Sequence, residues 1–255
     1  MGKIVIRRFK ALRLGGESFI WWNFEREAIK FKPDIIIAHA YRHIHTSKAL
    51  KIGRKVGARV MLVTHAPFID NNSTRSLPAK FAVKFYDKFV GPKKINGFDK
   101  VIAITRWEIP YLKELGIKEK KIEYVPNGIP DEFFKGESAR ESKNKVLFLG
   151  RIAPIKDLET LIRAIKLVKK DVDVEIVGPA EEDYLSSLKR QIRNMGLKNI
   201  RFTGPIYNSK EKIKKIDSAR VFVLPSKREA MPQALIEAMA RGKIVVASNN
   251  PGTRD

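Results

Sequence analysis

Residues 221–240 read VFVLPSKREAMPQALIEAMA, and the order of their parts points to a parallel sheet. Val221–Leu224 is a short apolar run bounded by Pro225-Ser226, the signature of a buried strand. Glu229 closes the loop that follows. Pro232 stands where a helix would begin, because proline suits the first helical position, and Glu237 then falls on the second turn. A helix start just after a parallel strand offers unpaired N–H groups and the positive end of a dipole, which suit a phosphate. Carboxylates instead accept hydrogen bonds from hydroxyls. An anion pocket with Glu229 at its lip and Glu237 inside therefore calls for a ligand with both phosphates and sugar rings.

Working outward, residues 147–157 read LFLGRIAPIKD. The apolar strand runs into Gly150, where backbone can approach a ligand closely. Arg151 and Lys156 follow, two cations beside a helix start that together can neutralise a diphosphate. Asp157 is placed as the N-cap of a helix carrying Leu158, Leu161, Ile162, Ile165 and Val168 at core-face spacing. Further upstream, Tyr124–Pro130 (YVPNGIP) contains a Pro-Asn-Gly turn, with Asn127 as a turn residue.

These three segments resemble the retaining glycosyltransferases of family 4, which have the two-domain GT-B fold. The shared features are a Glu, seven residues and a second Glu leading into EAMA, the Gly-Arg…Lys segment, and the VPNGI hinge. The resemblance implies that Gly150, Arg151 and Lys156 hold the donor diphosphate, aided by the helix start at Ala230-Met231. It implies that Glu229 holds the donor sugar and Glu237 the ribose hydroxyls. His65, just past the strand Arg59–Thr64, would reach the sugar from the other domain. Glu229, His65, Arg151 and Lys156 are thus the expected catalytic set. A nucleotide-diphosphate sugar serves as co-substrate, with no metal and no separate cofactor. An acceptor hydroxyl attacks from the face the diphosphate leaves, and no protein nucleophile is evident. Ala230 replaces the family's usual glycine after the first Glu, and Pro251 replaces the first glycine of a Gly-Gly turn.

Strands and helices alternate along the whole chain. Expected strands are Ile4–Arg7, Ile35–His39, Arg59–Thr64, Lys100–Ile104 and Ile122–Val125, then Val146–Leu149, Val174–Val177, Ile200–Thr203, Val221–Leu224 and Ile244–Ala247. Expected helices in the first half lie near Phe19–Phe31, Thr46–Val56, Ala79–Val90 and Arg106–Leu115. The pattern implies an α/β protein of two doubly wound parallel sheets, with ligands at the carboxyl ends of the strands. The domains are read as 1–138, on the acceptor side, and 139–255, on the nucleotide-sugar side. By the family pattern both domains are incomplete. Met1 enters the first after its initial strand and glycine loop, so Gly15-Gly16 is not that loop, and the far end stops after Asn250–Asp255.

The chain has 255 residues, 44% hydrophobic, and no cysteine, which excludes disulfides and thiolate metal sites and fits a cytoplasmic protein. No signal peptide or spanning apolar run is present. Net charge is +23: residues 1–100 hold 21 Lys+Arg against 7 Asp+Glu (+14), the other 155 hold 30 against 21 (+9). The first domain is therefore the expected partner of something polyanionic. Lys80, Lys84, Lys88, Lys93 and Lys94 recur near helical spacing and suit an anionic membrane, which places a lipid-linked or glycan acceptor at the inner face of the cell membrane. The same lysines also suit the solvated face of a thermostable protein. His39 is expected on the acceptor side, and His43 and His45 facing solvent. Of Trp21 and Trp22, one is expected in the core and one exposed, as adjacent helix residues. Two other readings stand beside the enzyme: a non-catalytic remnant that binds nucleotide-sugar, and a basic nucleic-acid binder, which would leave both glutamates unexplained.

Overall fold

The computed structural model describes residues 4–13, 20–67, 77–136 and 144–255. The chain forms two compact units, Met1–Pro126 and Asn127–Asp255. The domain boundary read at 138/139 lies outside the described residues, as does the Gly15-Gly16 loop.

The first unit opens with a small antiparallel pair, β1 (Ala11–Arg13) and β2 (Ile20–Trp22), with Leu12 opposite Trp21. This corrects two expectations. Ile4–Arg7 is irregular and exposed rather than a strand. The helix expected from Phe19 begins only at α1 (Glu25–Phe31), because β-branched and aromatic residues at 20–22 favour the pleated strand. One tryptophan is indeed more buried than its neighbour, but through strand alternation rather than a helix face. Trp22 packs against Phe24 and His45, at 5.7 and 4.7 Å between ring centroids. Trp21 lies on the open side, with Lys48 Nζ 4.7 Å from its ring.

There follow β3 (Ile35–His39), α2 (Ile44–Val56), β4 (Arg59–Val63) and α3 (Leu77–Phe85). α3 continues through a π-helical turn, Tyr86–Val90, into α4 (Gly91–Ile95). After β5 (Lys100–Ala103), a 3-10 turn at Arg106–Glu108 leads into α5 (Ile109–Glu114), and β6 (Ile122–Tyr124) completes the unit. The sheet order is β3-β4-β5-β6, parallel throughout. Its core gathers Leu62, Val101, Ile95, Phe98 and Leu112, all nearly inaccessible to solvent.

The second unit contains β7 (Lys145–Leu149), α6 (Leu158–Leu167), β8 (Asp173–Val177), α7 (Glu182–Asn194) and β9 (Ile200–Thr203). It continues with α8 (Ser209–Ser218), β10 (Val221–Leu224), α9 (Gln233–Ala240), β11 (Ile244–Ala247) and α10 (Pro251–Arg254). Its parallel sheet has the order β11-β10-β7-β8-β9. The chain thus builds outward from β7 on one side through β8 and β9, then returns to the other side with β10 and β11. Central parallel strands are covered on both faces, which is why β7 and β10 are nearly continuous apolar runs, while β8 interrupts its apolar residues with Glu175. Leu158, Leu161, Ile162 and Ile165 of α6 pack on Leu147, Phe148, Ile176 and Phe222. Val168, expected on the same face, lies beyond the last turn and is 45% exposed.

One charged group sits inside this second sheet. Glu175 on β8 is buried, and burial alone would raise its pKa. Hydrogen bonds from Lys145, Lys215 and Thr203 outweigh that and hold the carboxyl at about 2.

Candidate functional site

The strand order of the second unit reverses between β7 and β10, the place where doubly wound sheets bind ligands beyond their carboxyl ends. The loops after these two strands carry Gly150–Asp157 and Pro225–Met231. After β7 the backbone passes very close to the next loop. A Cβ at Gly178, whose φ is +150°, would lie 1.9 Å from the Gly150 carbonyl oxygen, so only glycine fits there. Ile152 N donates to Pro179 O at 2.8 Å and Glu181 N to Ile152 O at 2.9 Å, so this loop is tied to the end of β8.

A 3-10 turn over Pro154–Lys156 then delivers Lys156 to Glu229. Their Nζ and Oε1 are 2.5 Å apart, with side chains 19% and 10% exposed. A second tie, from Lys227 N to Ile155 O at 2.9 Å, joins the same two loops through backbone. Asp157 occupies the cap position in a left-handed conformation, φ +48°, without capping the helix through its side chain. Its carboxylate accepts from the Thr160 hydroxyl instead, at 2.9 Å. Arg151 is not drawn into this cluster: it is exposed and lies 3.6 Å from Glu181, itself half exposed.

Glu237 is carried on α9 and is buried. Lys212 Nζ from α8 holds Oε1 at 2.8 Å, while Oε2 is buried with no hydrogen-bond partner. A buried carboxylate oxygen without a donor is costly unless a ligand supplies one. α9 starts one residue later than expected, at Gln233, with Pro232 before it and no side-chain oxygen capping that end. Ala230 and Met231 are half-buried at the approach to this helix. The Met231 sulfur accepts from Asn127 N at 3.2 Å, which occupies the Met231 side chain. Residues 125–130 run on without the turn expected at Pro126–Gly128, and neither Asn127 nor Gly128 has positive φ.

Two supports of this loop were not singled out in the sequence as such. Gly252 lies against the Glu229 backbone: a Cβ there would stand 2.2 Å from Glu229 O and 2.5 Å from Ala230 O. Asn250 is buried, caps α10 by accepting from Thr253 N, and donates through Nδ2 to Ser226 O at 3.1 Å. Pro251 sits at the first turn of α10, where proline is favoured, and the glycine that close approach demands is the next residue. The signal was an Asn-Pro-Gly stretch after a strand, which reads equally as an ordinary turn.

In the first unit His39 ends β3, and His65 lies two residues past the end of β4, its parallel neighbour. His39 Nδ1 and His65 Nε2 are 2.9 Å apart, and His45 Nε2 donates to the His39 carbonyl at 2.8 Å. His45 is therefore half-buried, not solvent-facing as expected. Burial lowers the pKa of His65, and the nearby His39 lowers it further. Burial likewise lowers that of His45, against the opposing effect of its bond to the His39 carbonyl.

His65 and Ala66 both adopt left-handed backbone, φ +59° and +49°, which disfavours residues with a Cβ. The fully buried Glu108 holds them there. Its Oε2 accepts from Thr64 Oγ1 at 2.5 Å and Ala66 N at 3.0 Å, on either side of His65. Its Oε1 accepts from Ile104 N at 2.6 Å and Thr105 N at 3.3 Å. Glu108 escaped the sequence reading because a glutamate three residues after a threonine marks any capping box. No group of three or more His, Asp or Glu among the described residues could hold a metal ion.

The model for Glycosyltransferase Family 4 matches residues 3–133, and that for glycosyl transferases group 1 matches residues 130–255. The chain belongs to this glycosyltransferase family. It is 30% identical to the capsular polysaccharide biosynthesis glycosyltransferase CapH of Staphylococcus aureus over 74% of this chain and 56% of that one. It is 26% identical to the N,N'-diacetylbacillosaminyl-diphospho-undecaprenol alpha-1,3-N-acetylgalactosaminyltransferase of Campylobacter jejuni over 68% of this chain and 45% of that one. The fold matches Anabaena Alr3699/HepE in complex with UDP-glucose, with TM-score 0.73, 20% identity and coverage of 91% and 65%. Both units are thus the parallel α/β type of the GT-B family. The chain spans about half the length of the curated relatives it matches, 45%, 56% and 49% for three of them.

Proposed function

We propose that this chain provides the donor site and part of the acceptor side of a retaining hexosyltransferase that takes a nucleotide-diphosphate sugar and glycosylates a lipid-linked or glycan acceptor. The observation that carries it is the Lys156–Glu229 pair at the reversal of strand order. It places a cation for a diphosphate beside a carboxylate for sugar hydroxyls. Glu237 supports the same reading, because its unpartnered Oε2 suits a ribose hydroxyl.

In the proposed reaction the bond from the anomeric carbon to the β-phosphate oxygen breaks. A bond forms to the acceptor oxygen on the same face, and the acceptor's proton passes to the departing phosphate oxygen. Lys156, Arg151 swung in from the surface, the backbone at Gly150 and the helix start after Ala230-Met231 stabilise the leaving charge; such stabilisation is usually the largest catalytic contribution. Glu229 orients the sugar, and His65 is held as a neutral ring, in keeping with its lowered pKa. The reaction needs no metal and no cofactor besides the donor.

Two comparisons support the partners. The HepE structure holds UDP-glucose, and the Campylobacter relative is named for a diphospho-undecaprenol acceptor. No helix among the described residues is long and apolar enough to cross a membrane. The proposed place is peripheral, at the cytoplasmic face.

Calorimetric titration with UDP-, GDP- and ADP-sugars tests the donor site. One donor should bind, and Glu237→Ala and Arg151→Ala should each weaken it about tenfold or more, the usual loss for a hydrogen bond involving a charged group. Binding of one donor without transfer to any acceptor would reduce this chain to a binding module. No binding by any donor would overturn the site.

A further inference from the structure

No described residue of α3 is buried, yet its sequence is apolar. Leu77, Phe81, Phe85 and Phe89 are 72%, 72%, 62% and 54% exposed. Spaced every four residues, they form one stripe along α3 and the π-helical turn. The Phe85 and Phe89 rings remain in contact across that turn, with centroids 4.9 Å apart. Each phenylalanine is preceded by a lysine, Lys80, Lys84 or Lys88, so a basic stripe runs beside the aromatic one. Lys88 Nζ lies 5.5 Å from the Phe89 ring. From Leu77 to Ile95 there are five lysines and a single acid, Asp87, whose carboxylate is held by Arg42.

A helix of a globular protein normally turns its apolar stripe to the core, and an exposed one marks an interaction surface. The occupant must offer an apolar interior directly beneath negative charge. Nucleic acid supplies the charge without the apolar depth. A second copy of this chain would set five lysines against five. We propose that the Phe81–Phe85–Phe89 stripe docks on an anionic phospholipid bilayer, with the rings at the acyl boundary and Lys80, Lys84 and Lys88 among the headgroups. The inference gives a specific surface to the membrane-peripheral part of the proposed function, and it does not depend on the donor chemistry.

The test is co-sedimentation of the full chain with phosphatidylcholine vesicles, with and without phosphatidylglycerol, at low and high salt. Binding should require the anionic lipid and weaken with salt. Phe81→Ala, Phe85→Ala and Phe89→Ala together should lower partitioning by about a hundredfold or more, and each Lys→Gln at 80, 84 or 88 by about fivefold. The triple alanine variant should keep the parent's circular dichroism spectrum and donor titration. If the parent binds no vesicles, both this surface and the peripheral location fall, while donor binding measured alongside leaves the transferase reading standing. Vesicle binding unchanged by the triple variant would place the contact elsewhere and overturn this face. Concentration-dependent self-association abolished by the triple variant would assign the stripe to a second copy and overturn the bilayer.

Discussion

The sheet of Asn127–Asp255 reverses its strand order beside β7, whereas the sheet of Met1–Pro126 runs β3-β4-β5-β6 in chain order across the described residues. The reversal makes two loops from distant parts of the sequence diverge from neighbouring strands, and side chains between them find one another. Lys156 meets Glu229 there. The first unit gathers its polar groups differently, by a buried glutamate that clamps the residues flanking His65. Reversal of strand order forms a site by topology; a sequential sheet has to hold one by hydrogen bonds. The units also differ in what they leave open. The second buries the faces of α6 and α7, while α3 in the first presents its phenylalanines to solvent.

The largest effect should come from the packed core. Phe148→Ala leaves a cavity in the second unit and should destabilise it by about 3–5 kcal/mol in urea unfolding. A cost under about 1 kcal/mol would show that this sheet is not the tightly packed frame described. Next, Glu229→Ala should lower the transfer rate by about a hundredfold or more, as removal of one preorganised charge-stabilising partner does. It leaves Lys156 without its carboxylate, so donor affinity must be measured alongside to separate binding from catalysis.

Acid should part the two units. A carboxyl held at about 2, like Glu175, contributes stability above its unfolded value near 4.3, roughly 2–3 kcal/mol that is lost as pH falls toward 2. His45 and His65 lie below the ordinary value of 6.5, so the unfolded chain binds more protons just under that pH. Stability of the first unit should therefore begin to fall as pH drops through about 6.5. Thermal melts from pH 7.5 to 3, followed by fluorescence of Trp21, Trp22 and Trp107, report on the first unit alone. Glu108, whose pKa burial raises, binds its proton more readily in the folded chain and opposes this loss. A signal flat down to pH 4 in the Glu108→Gln variant as well would therefore contradict the histidine placement.

Glu108→Gln replaces one of the two accepting oxygens with a donor that faces either Ile104 N or Ala66 N, and should cost about 1–3 kcal/mol. Histidine NMR should show the His65 ring losing its contact with His39; an unmoved His65 would make Glu108 merely structural. The smallest effect should be Phe85→Ala, within about 0.5 kcal/mol in the same unfolding assay, because an exposed side chain leaves no cavity.

Much of the second unit was legible because its pattern is local. β7 and β10 are four- or five-residue runs that are almost wholly apolar, and α6 shows its core face at helical spacing. The glutamates at 229 and 237 could be placed from an apolar strand, a loop and a proline. The misreadings fell where the local pattern is ambiguous: Ile20–Trp22 suits a strand or an amphipathic helix equally, and Ile4–Ile6 is apolar but joins no strand among the described residues. Asp157 has the right residue type for a cap, but its left-handed backbone turns the carboxylate to Thr160 instead.

By itself the sequence determined the α/β class, the order of strands and helices, the family, and which residue types stand at the ends of which strands. These depend on periodicity and on short motifs, and neighbouring residues carry both. The tertiary structure alone decided that Lys156 lies against a carboxylate 73 residues away, that one oxygen of Glu237 stays unpartnered, and that Glu108 governs the turn at His65. It also decided that the phenylalanines of α3 face outward. Such facts arise from which loops the sheet brings side by side and which faces it covers, and no local pattern encodes them.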